Sequence, residues 1–336
     1  MNYSKKGVRA KQKTLNSKSQ KWGRKIALTC VKVMLAAVVG IGICGVAAGI
    51  GVFRGILSST PTIRLSDVVA VGEATIVYDR EGNEIDQYVS TNSNRLSVGM
   101  DEIPDYLGKA FVAIEDERFY QHNGIDFKSI IRAGYQFFKT GGEEAQGAST
   151  ITQQLLKNTV FTDWTSEGNN KIKKIKRKIQ EQYLALEITK YYSKDEILLR
   201  YMNAINLGQN TLGVESASLR YFGKHCSELT ISECAVIASI TQNPSKYNPI
   251  RHPEENVKRR EKCLNKMLEL GFISQTQYDE AMADTDAVYE RIGLYDIDYQ
   301  EANATTGSYF SDAVYEQVKQ DLILSGYNEN MAETLL

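Results

Sequence analysis

Three stretches place acids, bases and cations beside glycines in patterns that a plain helical core would not need. In Ala113-Ile114-Glu115-Asp116-Glu117-Arg118-Phe119-Tyr120-Gln121-His122-Asn123-Gly124-Ile125-Asp126, Leu107, Ala110, Phe111 and Ile114 keep helical spacing until acids, Arg118, His122 and Gly124 break it. The spacing predicts a helix that delivers carboxylates into a cleft, where one could serve as a general base. Taken alone, a solvated acidic helix end is the commoner meaning of such charges. The second stretch, Gln146-Gly147-Ala148-Ser149-Thr150-Ile151-Thr152-Gln153-Gln154-Leu155-Leu156-Lys157-Asn158, opens a helix with hydroxyls and amides suited to sugars or phosphates, and a helix start favours anions. In the third, Ile172, Ile175, Ile179, Tyr183 and Leu186 form a helical stripe while Lys171, Lys173, Lys174, Lys176, Arg177 and Lys178 crowd the other faces. So dense a cluster makes an anion site or a membrane-facing patch, although Glu181 follows Arg177 at i+4 as in an ordinary surface ion pair.

These stretches need elements to hold them. The chain of 336 residues is 42% hydrophobic with 5 Pro, long enough for about two domains and too apolar for disorder. Residues 1 to 32 carry ten Lys or Arg and no acid, whereas the remainder carries 30 basic against 41 acidic residues. Val33 to Phe53 is uncharged, and at 1.5 Å per residue it covers roughly the 30 Å of a bilayer core. It reads as an uncleaved transmembrane helix beginning at Ile26, with Trp22 at the interface. The basic tail puts the amino terminus in the cytoplasm and everything after Arg54 outside. Nucleic-acid binding is rejected, because the basic tail borders a span and the external part is acidic. Ala74 to Ser90 alternates around Arg80-Glu81-Gly82-Asn83, the mark of a small β-hairpin. Capping boxes at Ser193 with Glu196, Thr230 with Glu233 and Ser274 with Gln277 open later helices, and another runs from Pro253 to near Gly271. Cys226, Cys234 and Cys263 are odd in number with no C-x-x-C, so they read as small semi-buried residues. His122, His225 and His252 show no zinc-ligand spacing.

Taken in order with Tyr201-Met202-Asn203-Ala204-Ile205-Asn206-Leu207-Gly208, Gly213, Tyr221-Phe222-Gly223-Lys224, Glu233-Cys234-Ala235, Gln242-Asn243-Pro244-Ser245-Lys246-Tyr247-Asn248-Pro249 and Arg259-Arg260, the chain resembles the family 51 glycosyltransferases. These form the peptidoglycan polymerase domain of class A penicillin-binding proteins and of monofunctional wall polymerases. The resemblance implies a mainly α, lysozyme-like bilobal domain with a small β-hairpin, preceded by one transmembrane helix. It also implies polymerisation of lipid II into β-1,4 glycan with inversion and loss of undecaprenyl pyrophosphate. Glu115 matches the general base, Asp116 its neighbour, and Glu181 the second carboxylate, acting at the pyrophosphate directly or through a divalent cation such as magnesium or manganese. No cofactor is otherwise required. Lys157, Arg177 and Lys178 match the basic positions that receive the leaving group; Gln153, Ser149, Thr150, Lys173 and Asn203 complete the substrate-binding set.

Two departures stand out. Thr162 to Asn170 looks like a short insertion, and Lys173 stands where relatives often carry arginine, keeping the charge but losing the bidentate fork. Phe127 to Gly142, with Phe137 and Phe138, corresponds to a membrane-near segment of the family or, equally, to core packing. No S-x-x-K occurs, and Lys139-Thr140-Gly141 lies upstream of the basic helix, so the expected organisation is a cytoplasmic tail (1–25), a span (26–53), a linker (54–73), the glycosyltransferase domain (74–275) and a connector (276–336) toward an absent transpeptidase domain. Expected partners are lipid II with the growing strand, the bacterial membrane and a cell-wall synthesis complex. A membrane-anchored muramidase and a non-catalytic scaffold remain open on the residues alone.

Overall fold

The computed structural model describes residues 4–15, 18–63, 68, 75–82, 84–88, 95–140, 147–168, 170–304 and 309–327. Gln146, Gly141, Gly142, Ser308, the edges of the expected hairpin and its Asn83, linker residues 64–67 and 69–73 and the chain after 327 lie outside them, as do the side chains of Phe137 and Phe138. The chain divides into two compact units, 1–61 and 62–336.

The first unit is helical. Helix α1 spans Lys5–Leu15 and α2 spans Lys18–Ser58. Within α2, the most apolar 18-residue window of Trp22–Ser58 has a mean hydropathy of 2.5 and is not buried in protein, so an apolar solvent must cover it if it is to persist. The helix runs on past Phe53, through Arg54 to Ser58, where a linker was expected.

The second unit opens with the expected hairpin. Strands β1, Thr75–Tyr78, and β2, Glu84–Tyr88, pair antiparallel with Thr75 opposite Tyr88 and a bulge between Val77 and Tyr78. Helices follow: α3 Asp105–Glu115, α4 Phe127–Thr140, α5 Ile151–Thr159, α6 Lys171–Ile188, α7 Lys194–Ala204, α8 Val214–Phe222, α9 Ile231–Ile240, α10 Pro253–Glu269, α11 Gln275–Ala283, α12 Thr285–Ala304 and α13 Tyr309–Leu324. All three capping boxes form: Ser193, Thr230 and Ser274 each accept from the N3 amide while the N3 side chain returns to the cap.

The centre is α9. Every residue from Ser232 to Ile240 is buried, because this helix is apolar all round and therefore needs neighbours on every side. It packs against α3, α10, α11, α12 and α8. Helix α5 packs on α7 and α6, and its first amide meets the residue that ends α3, Asp116. Cys226, Cys234 and Cys263 are buried free thiols in this core, as their count suggested.

Two helices place their apolar residues unexpectedly. In α6 the buried side is Gln180, Glu181, Leu184, Ala185 and Ile188. The periodic stripe faces outward instead, with Ile172 80% and Ile175 59% exposed. The polar side turns inward with Glu181 held by Arg177 and Lys178 of the same helix, while Arg177 reaches Glu167 in the segment before α6 and Lys178 reaches Ser149 just before α5. In α4, Phe127, Ile131 and Tyr135 recur every fourth residue and are likewise exposed.

Candidate active site

Asp116 caps α3 at the point where the chain leaves the helix. Its carboxylate accepts the backbone N–H of Ile151 at 3.1 Å and faces His122 Nε2 at 3.0 Å. An acid over the first amides of α5 is favoured by that helix's dipole, so Asp116 locks the end of α3 to the start of α5. Thr150 caps α5, accepting from the Gln153 amide at 3.2 Å and donating to the Gly124 carbonyl at 2.7 Å. Gly124 has φ +88°, and a Cβ there would lie 2.3 Å from the Ala185 carbonyl on α6. Only glycine fits.

Glu115, one residue earlier, is thereby held between α3, α5, α9 and α10. Its Oε1 accepts from Thr241 Oγ1 at 2.5 Å and from Arg259 Nη2 at 2.7 Å. Its Oε2 accepts from Gln154 Nε2 at 2.8 Å. Gln154 in turn faces the buried Tyr201 hydroxyl at 3.4 Å, whose burial pushes that phenol well above its usual range. Of the roughly four acceptor positions on a carboxylate, three are used and Oε2 keeps one.

Glu181 forms the second node and is fully buried. Oε1 is bound by Arg177 Nη1 and Oε2 by Lys178 Nζ at 2.9 Å. Arg177 also donates to Glu167 at 2.9 Å, and Lys178 to Ser149 Oγ at 2.8 Å. Burial opposes the Arg177 charge, but Glu167 and Glu181 outweigh it and raise its pKa.

Lys157 links the nodes. Burial lowers its pKa; the fields of Glu181 and Glu115 act against that, while Arg177 and Lys178 reinforce it. Its ammonium sits 4.1 Å from the centre of the Trp164 ring, a cation–π contact that holds it without using a hydrogen-bond acceptor. Trp164 belongs to the segment read as an insertion. Among the described residues, the Lys157 ammonium has no hydrogen-bond acceptor beside this ring.

The remaining chosen residues divide. Gln153 is 1% exposed, and neither of its amide atoms has a partner among the described residues. Lys173 is exposed, its backbone N–H bound by the Asn170 side chain at 3.1 Å and its ammonium without a partner among the described residues. The Asn203 side chain bonds both backbone groups of Val98, at 2.9 and 3.2 Å. A divalent cation at Glu181 would have to displace Arg177 and Lys178, and no described group of three or more His, Cys, Asp or Glu could hold one, so the donor set does not fit a metal. Two cavities of about 620 and 440 Å³ lie elsewhere, one between Lys224, Glu233 and Arg291, the other between Asp105, Tyr120 and Met202; neither is lined by Glu115 or Glu181.

The sequence missed Arg259, Gln154, Thr241 and Glu167 as members of the site. Arg259 had been noted only as part of a motif, and 144 residues separate it from the carboxylate it binds.

The chain matches the transglycosylase family over residues 81–268. It is 39% identical over 296 residues to penicillin-binding protein 1A of Clostridium perfringens strain 13, covering 85% of this chain and 42% of that protein. It is 34% identical over 320 residues to penicillin-binding protein 1A/1B of Bacillus subtilis strain 168, covering 95% of this chain and 34% of that one. The chain thus spans about two-fifths or less of the length of these relatives. The crystal structure of penicillin-binding protein 1A from Haemophilus influenzae aligns with 64% of this chain and 21% of that one at 23% identity, with a TM-score of 0.33, too loose a superposition to bear on the site. With more than half of its residues inside the matched segment, the chain belongs to the transglycosylase family, the peptidoglycan glycosyltransferases.

Proposed function

We propose that the domain polymerises lipid II, with Glu115 as general base and Lys157, Arg177 and Lys178 receiving the departing undecaprenyl pyrophosphate. The 4-hydroxyl of the acceptor sugar attacks the anomeric carbon of the growing chain. Its proton passes to Glu115 Oε2, the oxygen with an acceptor position to spare. A pyrophosphate is a competent leaving anion that needs positive charge rather than a proton, and Lys157 supplies it from between the two carboxylates. Glu181 orients Arg177 and Lys178 instead of transferring a proton. The observation that carries this reading is Lys157, a half-buried cation seated over the Trp164 ring, under the fields of both Glu115 and Glu181 and with no hydrogen-bond acceptor among the described residues.

The same reading places the domain against the outer leaflet of the bacterial membrane, with α2 as the anchor and the ten basic residues at the cytoplasmic end. The outward stripes of α4 and α6 support it, since exposed isoleucines flanked by lysines suit a lipid headgroup boundary. Participation in a cell-wall synthesis complex belongs to the reading as well.

Incubation of the full chain with labelled lipid II tests it. Growth of glycan with release of undecaprenyl pyrophosphate is expected. Release of soluble fragments from purified wall, with no polymer from lipid II, would identify a hydrolase and overturn it.

A further inference from the structure

A line of contacts runs from α12 to Glu115. Val288 and Ile292 of α12 are fully buried against Val236 of α9, which fixes the helix on both sides of Tyr289. The Tyr289 hydroxyl donates to Asn256 Oδ1. Asn256 is fully buried, and its Nδ2 donates to the Tyr247 carbonyl at 2.7 Å and faces the Val236 carbonyl at 3.4 Å. An amide can satisfy two carbonyls only with its nitrogen turned toward them. The phenol holds the oxygen end and so sets that orientation. The Tyr247 ring in turn lies 5.1 Å from the Arg259 guanidinium carbon, and Arg259 donates to Gln242 and to Glu115 at 2.7 Å each.

We infer that Tyr289, outside the matched segment that ends at residue 268, is a positioning residue for the reaction: through Asn256 and Tyr247 it fixes Arg259, and through Arg259 the carboxylate of Glu115. This rests on Glu115 being the base. Arg259 can approach Glu115 from several rotamers, and a ring beneath its guanidinium selects one. The ring stays in place because its own carbonyl is tied to Asn256. Displacement of a base by a fraction of an ångström lowers the chemical step while leaving the distant pyrophosphate contacts intact.

Steady-state polymerisation of lipid II by the full chain decides the matter. Tyr289→Phe removes one oxygen; kcat is expected to fall roughly three- to tenfold with KM within twofold and moenomycin, a phosphoglycolipid donor mimic, binding as before. In an Arg259→Lys background the same substitution should cost nothing more, because the two act in series. Ile273→Ala, a buried position outside this line of contacts, should lower Tm yet leave kcat within twofold. Unchanged kcat in Tyr289→Phe, an equal cost in the Arg259→Lys background, or an equal loss from Ile273→Ala would each overturn the inference. A wild-type chain that makes no polymer would instead count against the functional reading beneath it.

Discussion

Glu115 on α3 and Glu181 on α6 are the same residue type, yet their surroundings give them opposite duties. Glu115 meets one cation and two neutral donors and keeps about a tenth of its side chain exposed. Glu181 meets two cations, one on each oxygen, and has no exposure. A carboxylate with an open lone pair and a path to solvent can take a proton. One whose oxygens are both occupied by cations can only orient them. Environment rather than residue type divides the labour.

The comparison breaks first at Lys157, which serves both nodes. Lys157→Ala should lower polymerisation about 10²- to 10³-fold, the scale for losing one preorganised donor to a developing anion, measured as initial rate on lipid II. Near-normal turnover would remove Lys157 from the anion site. Next, Glu181→Gln leaves Arg177 and Lys178 facing each other across a neutral amide. Breaking a buried pair costs about 3 kcal/mol, so Tm should drop by roughly 5–10 °C. A Tm within a degree of wild type would mean that the node contributes no stability.

The loop between the nodes gives a smaller, pH-dependent effect. Burial works against the Asp126 charge, but the Ser129 amide and Arg118 prevail and hold its pKa at about 2. A carboxylate depressed on folding stabilises above the unfolded value near 4, and that stability is lost as pH falls toward 2. Asp126→Asn should therefore flatten the acid limb of stability against pH, seen in melts between about pH 5 and 2; an unchanged slope would contradict the assignment. Smallest of all is Lys173→Ala. An exposed side chain with no ion pair among the described residues should alter the rate less than twofold, and a tenfold loss would bring Lys173 into the site.

Local signals carried much of the fold. Ser193, Thr230 and Ser274 announced their helices, Pro253 and Gly271 bracketed another, and the 80–83 turn located a hairpin. The same code erred on α6, where a regular stripe from Ile172 to Leu186 reads as a core face. It faces out because Arg177 and Lys178, holding Glu181 between them, reach off the helix to Glu167 and Ser149, and apolar periodicity cannot see those polar contacts. Within the site, Glu115, Lys157, Arg177 and Lys178 were legible by their order along the chain. Arg259 and Thr241 were not, since the α9–α10 packing that brings them to Glu115 leaves no mark at any fixed spacing. Asn203, chosen for substrate, spends its amide on the Val98 backbone, a structural duty that a polar residue in a motif does not advertise.

The division between the two carboxylates is tested most directly by Glu115→Gln, read in lipid II polymerisation and moenomycin binding on the same preparation. The rate should fall at least about a hundredfold, as for loss of a general base, while affinity for the donor mimic stays within threefold because the Glu181 node is untouched. Polymerisation at the wild-type rate would contradict the account.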